Sequence, residues 1–189
     1  MKDETVAPSA PEGERRKAVL VVGAGDATGS AIARRFAREG YVACLARRSA
    51  DKLQPLVEQI RAEGGEAQGF ATDARKEEDV ARLVETIEAQ IGAIEVFVFN
   101  IGANVPCGIL DETARKFFKV WEMACFSAFL TGQAVARRMA ARRRGTMLFT
   151  GATASLRGAA SFGAFATAKH GLRALAQSMA RELGPMNVH

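Results

Sequence analysis

The chain has 189 residues, 48% apolar and 25% charged, a balance that suits one globular domain with a sizeable core. No apolar run approaches the roughly 20 residues that span a bilayer, so no membrane partner is expected. The net charge of +5 raises nucleic acid as a partner, but much of the excess lies in Arg137-Arg138 and Arg142-Arg143-Arg144. That cluster ends an expected helix, where cations complement the dipole and sit in water, and no aromatics are interleaved to stack bases, so no nucleic acid is expected either.

Residues 1–17 are polar, with Pro8, Pro11 and Gly13 and no apolar core of a signal peptide; they read as a disordered leader to a domain over 18–189. Ala18 to Val22 is a short unbroken apolar run, the pattern of a strand buried on both faces of a parallel sheet. Gly23-Ala24-Gly25-Asp26-Ala27-Thr28-Gly29 follows, then a helix over Ser30 to Glu39 closed by Gly40, then a strand over Tyr41 to Ala46. Strand, glycine-rich turn, helix and strand open a dinucleotide-binding fold, because a diphosphate has to approach backbone N–H groups at a helix N-terminus and side chains would block it. Arg47 and Arg48 come next, where an acid would bind the ribose 2′-hydroxyl of NAD. Two guanidinium groups there suit the extra 2′-phosphate, so NADP is the expected cofactor; the alternative is a pair of exposed arginines.

Asp51 to Glu63 reads as a helix ended by Gly64-Gly65, Glu66 to Ala71 as a third strand, and Glu77 to Ile91 as an amphipathic helix stopped by Gly92. Ile94 to Phe99 is a fourth strand, Asp111 to about Ala141 is mainly helical, and Thr146 to Thr150 is a fifth strand. A small-residue loop, Gly151 to Ser161, leads to a helix over Phe162 to Leu183 ended by Gly184-Pro185, and Met186 to His189 begins a sixth strand. Alternation of strands and helices predicts a Rossmann-type, doubly wound α/β domain with a parallel sheet of order 3-2-1-4-5 and the start of a sixth strand. Cys44, Cys107 and Cys125 are scattered without metal-ligand spacing, His170 and His189 do not complete a metal site, and a cytoplasmic location fits.

The glycine loop resembles the Thr-Gly-x-x-x-Gly-x-Gly loop of the short-chain dehydrogenase/reductase family, with Val22 for the threonine, Ala27 for the middle glycine, and Gly23 and Gly29 kept. From about residue 17 to its end the chain is similar to the N-terminal three-quarters of family members, which implies a fragment of something longer. The resemblance implies a cofactor site formed by Gly23, Gly25, Thr28, Gly29, Arg47, Arg48, Asp73, Asn100, Gly102 and Lys169. Asp73 matches an aspartate that bonds the adenine amino group, with a helix N-cap as the rival role. Asn100 and Gly102 match two of four positions in the family's Asn-Asn-Ala-Gly motif, Phe99 and Ile101 replacing the others. The long helix ending near Ala141 packs on a partner subunit in the family, implying a homo-oligomer, dimer or tetramer; an all-core role fits the residues equally.

Family members deliver a proton to the developing alkoxide through a Tyr-x-x-x-Lys pair one helical turn apart, with a serine thirteen residues earlier and an asparagine on the long helix. Here Lys169 is the only member present: Phe165 stands for the tyrosine, Ala152 for the serine and Ala124 for the asparagine. Lys169 retains a role toward ribose hydroxyls, against the alternative of a solvated helix lysine. Thr153, Ser155 and Ser161 are the nearby hydroxyls, and His170 faces elsewhere, about 100° around the helix. The expectation is an NADP-binding oxidoreductase with a non-standard active site acting on an unidentified small molecule; the alternative is a catalytically silent cofactor-binding protein or hetero-oligomer partner.

Overall fold

The computed structural model describes residues 16–25 and 27–189. The expected leader therefore lies outside the described residues except at its end, where Lys17 already opens the first strand and Arg16 pairs with Glu66. Five strands, β1 (Lys17–Val22), β2 (Val42–Arg47), β3 (Glu66–Ala71), β4 (Ala93–Phe99) and β5 (Thr146–Phe149), form one parallel sheet in the order β3-β2-β1-β4-β5. The expected order is therefore the observed one. Val188 bridges Gly145 in parallel, and the His189 N–H donates to the Gly145 carbonyl at 3.0 Å, so the sixth strand begins where its residues suggested.

The period-2 alternation of strand side chains divides the core into two layers. Ala18, Leu20 and Val22 of β1 face a layer shared with Leu83, Ile87, Val135 and Leu172, whereas Val19 and Val21 face Ala33, Leu53, Val57 and Ile60. The second layer lies beneath α1 (Thr28–Arg38) and α2 (Gln54–Ala62), the first beneath α3 (Glu77–Gln90), α5 (Ser127–Arg142) and α6 (Gly163–Leu183). Helix α4 (Ala114–Trp121) runs into α5 through a π turn over Glu122–Phe126. That turn and α6 enclose a third apolar cluster containing Val120, Ala124, Cys125, Phe165 and Ala168.

The arginine-rich end of α5 departs from the expectation of wholly solvated cations. Arg142 is half-buried and donates twice to the Glu88 carboxylate, at 2.9 and 3.0 Å, and once to the Ile94 carbonyl, tying α5 to α3 and β4. Arg144 pairs with Glu95 at 2.7 Å, and Arg143 donates to the Pro185 carbonyl at 2.9 Å. These cations hold the ends of elements together, because carboxylates far away in sequence lie beneath them.

Candidate functional site

The direction of chain progression reverses between β1 and β4, and there the loops after the two strands diverge to leave a crevice. Gly23 turns out of β1 with φ +87°, and a Cβ on it would meet the Asn100 carbonyl group at 2.9 Å. Asn100, leaving β4, donates from Nδ2 to the Gly23 carbonyl at 3.2 Å and accepts at Oδ1 from the Thr150 hydroxyl at 2.9 Å, joining the ends of β1, β4 and β5. Lys169 reaches the same place from α6: its Nζ donates to the carbonyls of Thr150 at 2.9 Å and Ile101 at 3.2 Å. It is 3% exposed, so the solvated-lysine reading does not hold, and burial pushes its pKa below the ordinary lysine value.

The glycines of the loop divide into two kinds. Gly29 packs on the turn itself, where a Cβ would lie 2.7 Å from the Gly23 carbonyl oxygen and 2.8 Å from Ala24 Cα. Gly25 and Gly102 face open space, with nothing within 4 Å of a Cβ. Thr28 is the first residue of α1 and exposed; among the described residues no side chain caps that helix, and the Ser30 N–H is taken by the Gly25 carbonyl at 2.9 Å.

Beyond the carboxyl ends of β1, β2 and β3 lies a cavity of about 260 Å3. Arg47, Arg48, Ser49 and Lys52 line it together with Asp73 and Arg75, and Ile101 and Met123 complete the lining. The N-cap role of Asp73 is not observed: α3 begins after Lys76, with no side-chain cap. Asp73 instead takes the fork of Arg75, at 2.9 Å from Nε and 2.6 Å from Nη2, and Arg75 Nη1 goes on to Glu122 in the π turn at 3.2 Å. The guanidinium holds the Asp73 carboxyl down at about 2.

A second cavity, of about 330 Å3, opens beyond β4 and β5. Phe165 and Ala152 line it, while Ala124 lies beneath Phe165 in the third apolar cluster, 0% exposed. The phenyl ring of Phe165 is itself 9% exposed and covers Lys169, whose Nζ lies 6.0 Å from the ring centroid. Of the nearby hydroxyls, that of Ser155 is turned inward and buried, accepting from the Ala152 N–H at 3.1 Å, so it is committed to the loop. Thr153 lines the cavity; Ser161 does not. His170 is exposed, its Nδ1 2.9 Å from the Ala166 carbonyl, and faces away as its position on the helix implies.

Residues 17–189 match the family model of the short chain dehydrogenases. The chain belongs to the short-chain dehydrogenase/reductase family. It is 30% identical over 173 residues to a 2-dehydro-3-deoxy-D-gluconate 5-dehydrogenase of Formosa agariphila, an alignment covering 91% of this chain and 66% of that protein. A crystal structure of a short-chain dehydrogenase from Rhodopseudomonas palustris superposes with a TM-score of 0.87 at 50% identity, covering 93% of this chain and 82% of that one. A metagenomic short-chain oxidoreductase in complex with NADP superposes with a TM-score of 0.87 at 28% identity, covering 92% of this chain and 79% of that one. The chain spans about two thirds of the length of the curated relatives it matches.

The family binds nicotinamide cofactors, and this crevice has the features such a ligand needs. Gly25 and Gly102 leave the space a diphosphate and ribose would take, α1 starts there with no side-chain cap among the described residues, and Lys169 places an ammonium group between the loops after β4 and β5. Sequence reasoning missed Ser49, Lys52 and Arg75. Lys52 had a usable signal, since it lies four residues after Arg48 in the first turn of a short 3-10 helix. Arg75 had none, because its role depends on Glu122, 47 residues further along the chain.

Proposed function

We propose that the chain is an NADP-binding oxidoreductase of its family whose site works without the usual phenol. The observation that carries this reading is the cavity beyond β2, where Arg47, Arg48 and Lys52 gather around Ser49 while Asp73 is neutralised by Arg75. A dianionic 2′-phosphate suits a wall carrying three cations better than a bare ribose hydroxyl does. Asp73, Gly25, Gly102, Asn100 and the start of α1 at Thr28 then border the remainder of the dinucleotide, and Lys169 holds the ribose nearest the second cavity. When bound, the nicotinamide supplies or accepts hydride. Phe165 and Ala152 line the place where it would act, and they have no proton to give. The hydroxyl on that wall belongs to Thr153.

A second reading, a silent cofactor-binding subunit, is favoured by Ser155, which is buried, accepts from the Ala152 N–H and does not line the cavity. Losing a positioned general acid removes roughly 10²- to 10⁴-fold of rate. In either reading the exposed aromatic rings along α4 and α5 support self-association with a second copy of this chain. The small-molecule substrate enters from the Phe165 side. Among the described residues no helix is long and apolar enough to cross a membrane, and the three free cysteines fit a reducing cytoplasm.

Fluorescence titration with NADPH and NADH tests the cofactor. NADPH is expected to bind more tightly, and Arg47→Ala with Arg48→Ala to weaken NADPH about 10- to 100-fold while leaving NADH unchanged. Failure to bind either cofactor rejects both readings. Oxidation of NADPH with a panel of aldehydes, ketones and quinones separates them. Rapid turnover by the unmodified chain rejects the silent reading; activity gained only on combining Phe165→Tyr with Ala152→Ser supports it.

A further inference from the structure

The cavity over Phe165 differs in chemistry from the one beyond β2. Its floor is apolar: Phe162 and Phe165, with the methyl groups of Ala152, Ala154 and Ala159. Its polar groups are Asn104, Thr153 and Arg157, and no carboxylate lines it. The Arg157 N–H donates to the Thr153 carbonyl at 3.2 Å, closing a turn that sets the two side chains beside each other. Most arginines of the fold are engaged, Arg75, Arg142 and Arg144 among them, but the Arg157 guanidinium meets neither a carboxylate nor a carbonyl among the described residues. An apolar floor with one uncommitted cation at its rim and no acid is complementary to a ligand that is apolar at one end and anionic at the other.

We propose that this cavity binds a small organic acid, its flat apolar body lying on Phe162 and Phe165 and its carboxylate taken by Arg157 with help from Thr153 and Asn104. A single planar guanidinium matches a planar monoanion, whereas the dianionic group proposed for the other cavity meets three cations, Arg47, Arg48 and Lys52. A volume of about 330 Å3 holds one or two fused rings. The proposal deepens the preceding reading, on which it rests only in taking this cavity as the substrate side.

Calorimetric titration of the full chain with 2-naphthoate, 2-naphthamide and 2-naphthyl phosphate, each with and without saturating NADPH, tests it. Naphthoate is expected to bind about 10-fold or more tightly than the uncharged amide. Arg157→Gln should erase that difference and leave NADPH affinity unchanged, while Phe162→Ala should weaken acid and amide alike. Equal binding of acid and amide by the unmodified chain, or naphthoate affinity unchanged in Arg157→Gln, overturns the proposal. Naphthyl phosphate binding as tightly as naphthoate overturns the choice of carboxylate. Loss of naphthoate binding in the Arg47→Ala, Arg48→Ala variant would place the acid in the cofactor cavity and also overturns it. Naphthoate binding without NADPH binding rejects the cofactor reading alone, and NADPH binding without naphthoate binding rejects this one alone.

Discussion

Asp73 illustrates how a neighbour two residues away settles the state of a side chain. Isolated, an aspartate after a strand would serve as a cap or a ligand; with the fork of Arg75 on both oxygens it is an anchored anion well before any ligand arrives. Its pKa falls from 3.8 to about 2, chiefly through the hydrogen bonds from Arg75. The folded value lies below the unfolded one, so the pair stabilises the fold fully above about pH 4 and loses that contribution as the pH falls toward 2. The full effect is on the order of 2 kcal/mol. Urea denaturation of Asp73→Asn against the unmodified chain should therefore show a deficit at pH 7 that closes between pH 4 and 2; a pH-independent deficit would mean that the ion pair is not its cause. Lys169 and the phenylalanine one helical turn before it were legible residue by residue. The burial of the lysine was not, because two carbonyls from distant loops create it.

At the scale of elements, the strand-loop-helix over β1 and α1 was readable because its rules are local: a buried apolar strand, a turn needing positive φ at Gly23, and an amphipathic helix after it. The two kinds of glycine in that loop make opposite predictions. Gly29→Ala drives a Cβ against backbone atoms that cannot yield, and is expected to destabilise the fold by about 1–3 kcal/mol in thermal or urea unfolding. Gly25→Ala meets nothing and should leave stability within about 0.5 kcal/mol while weakening NADPH binding in titration. If Gly25→Ala binds NADPH normally, the diphosphate does not pass there. The π turn between α4 and α5 left no mark on the apolar periodicity. It inserts one residue into the helical repeat, and its Glu122 is held by Arg75 from across the crevice.

For the whole molecule, the rings of Phe118, Trp121, Phe126 and Phe129 follow one another along α4 and α5 with centroids 5.8 to 6.3 Å apart. Phe118 is 58% exposed and Phe129 39%, an uncovered aromatic run of the sort that marks an interface. Continuing past Phe129, a cavity of about 360 Å3 between α5 and α6 is walled by Leu175, Met179 and Leu183. Phe129→Asp is expected to shift the protein from oligomer to monomer in light scattering at micromolar concentration without loss of helical circular dichroism. A monomeric unmodified chain would assign these rings another role.

What the sequence by itself determined was the succession of strands and helices, the phosphate-approaching turn, the arginine pair after β2 and the lack of a phenol, hydroxyl or amide at positions 165, 152 and 124. Each of these depends on residue type and near neighbours, on hydrophobic period, glycine spacing or the presence of an ionisable group. Tertiary structure alone decided that Arg142 and Arg144 serve the scaffold, that Arg75 is bound by Glu122, and that Arg157 meets no carboxylate or carbonyl among the described residues above an apolar floor. Those outcomes depend on which charges and carbonyls the parallel sheet brings together from distant parts of the chain. Long-range electrostatic and hydrogen-bond partners have no periodicity to read, and only folding chooses them.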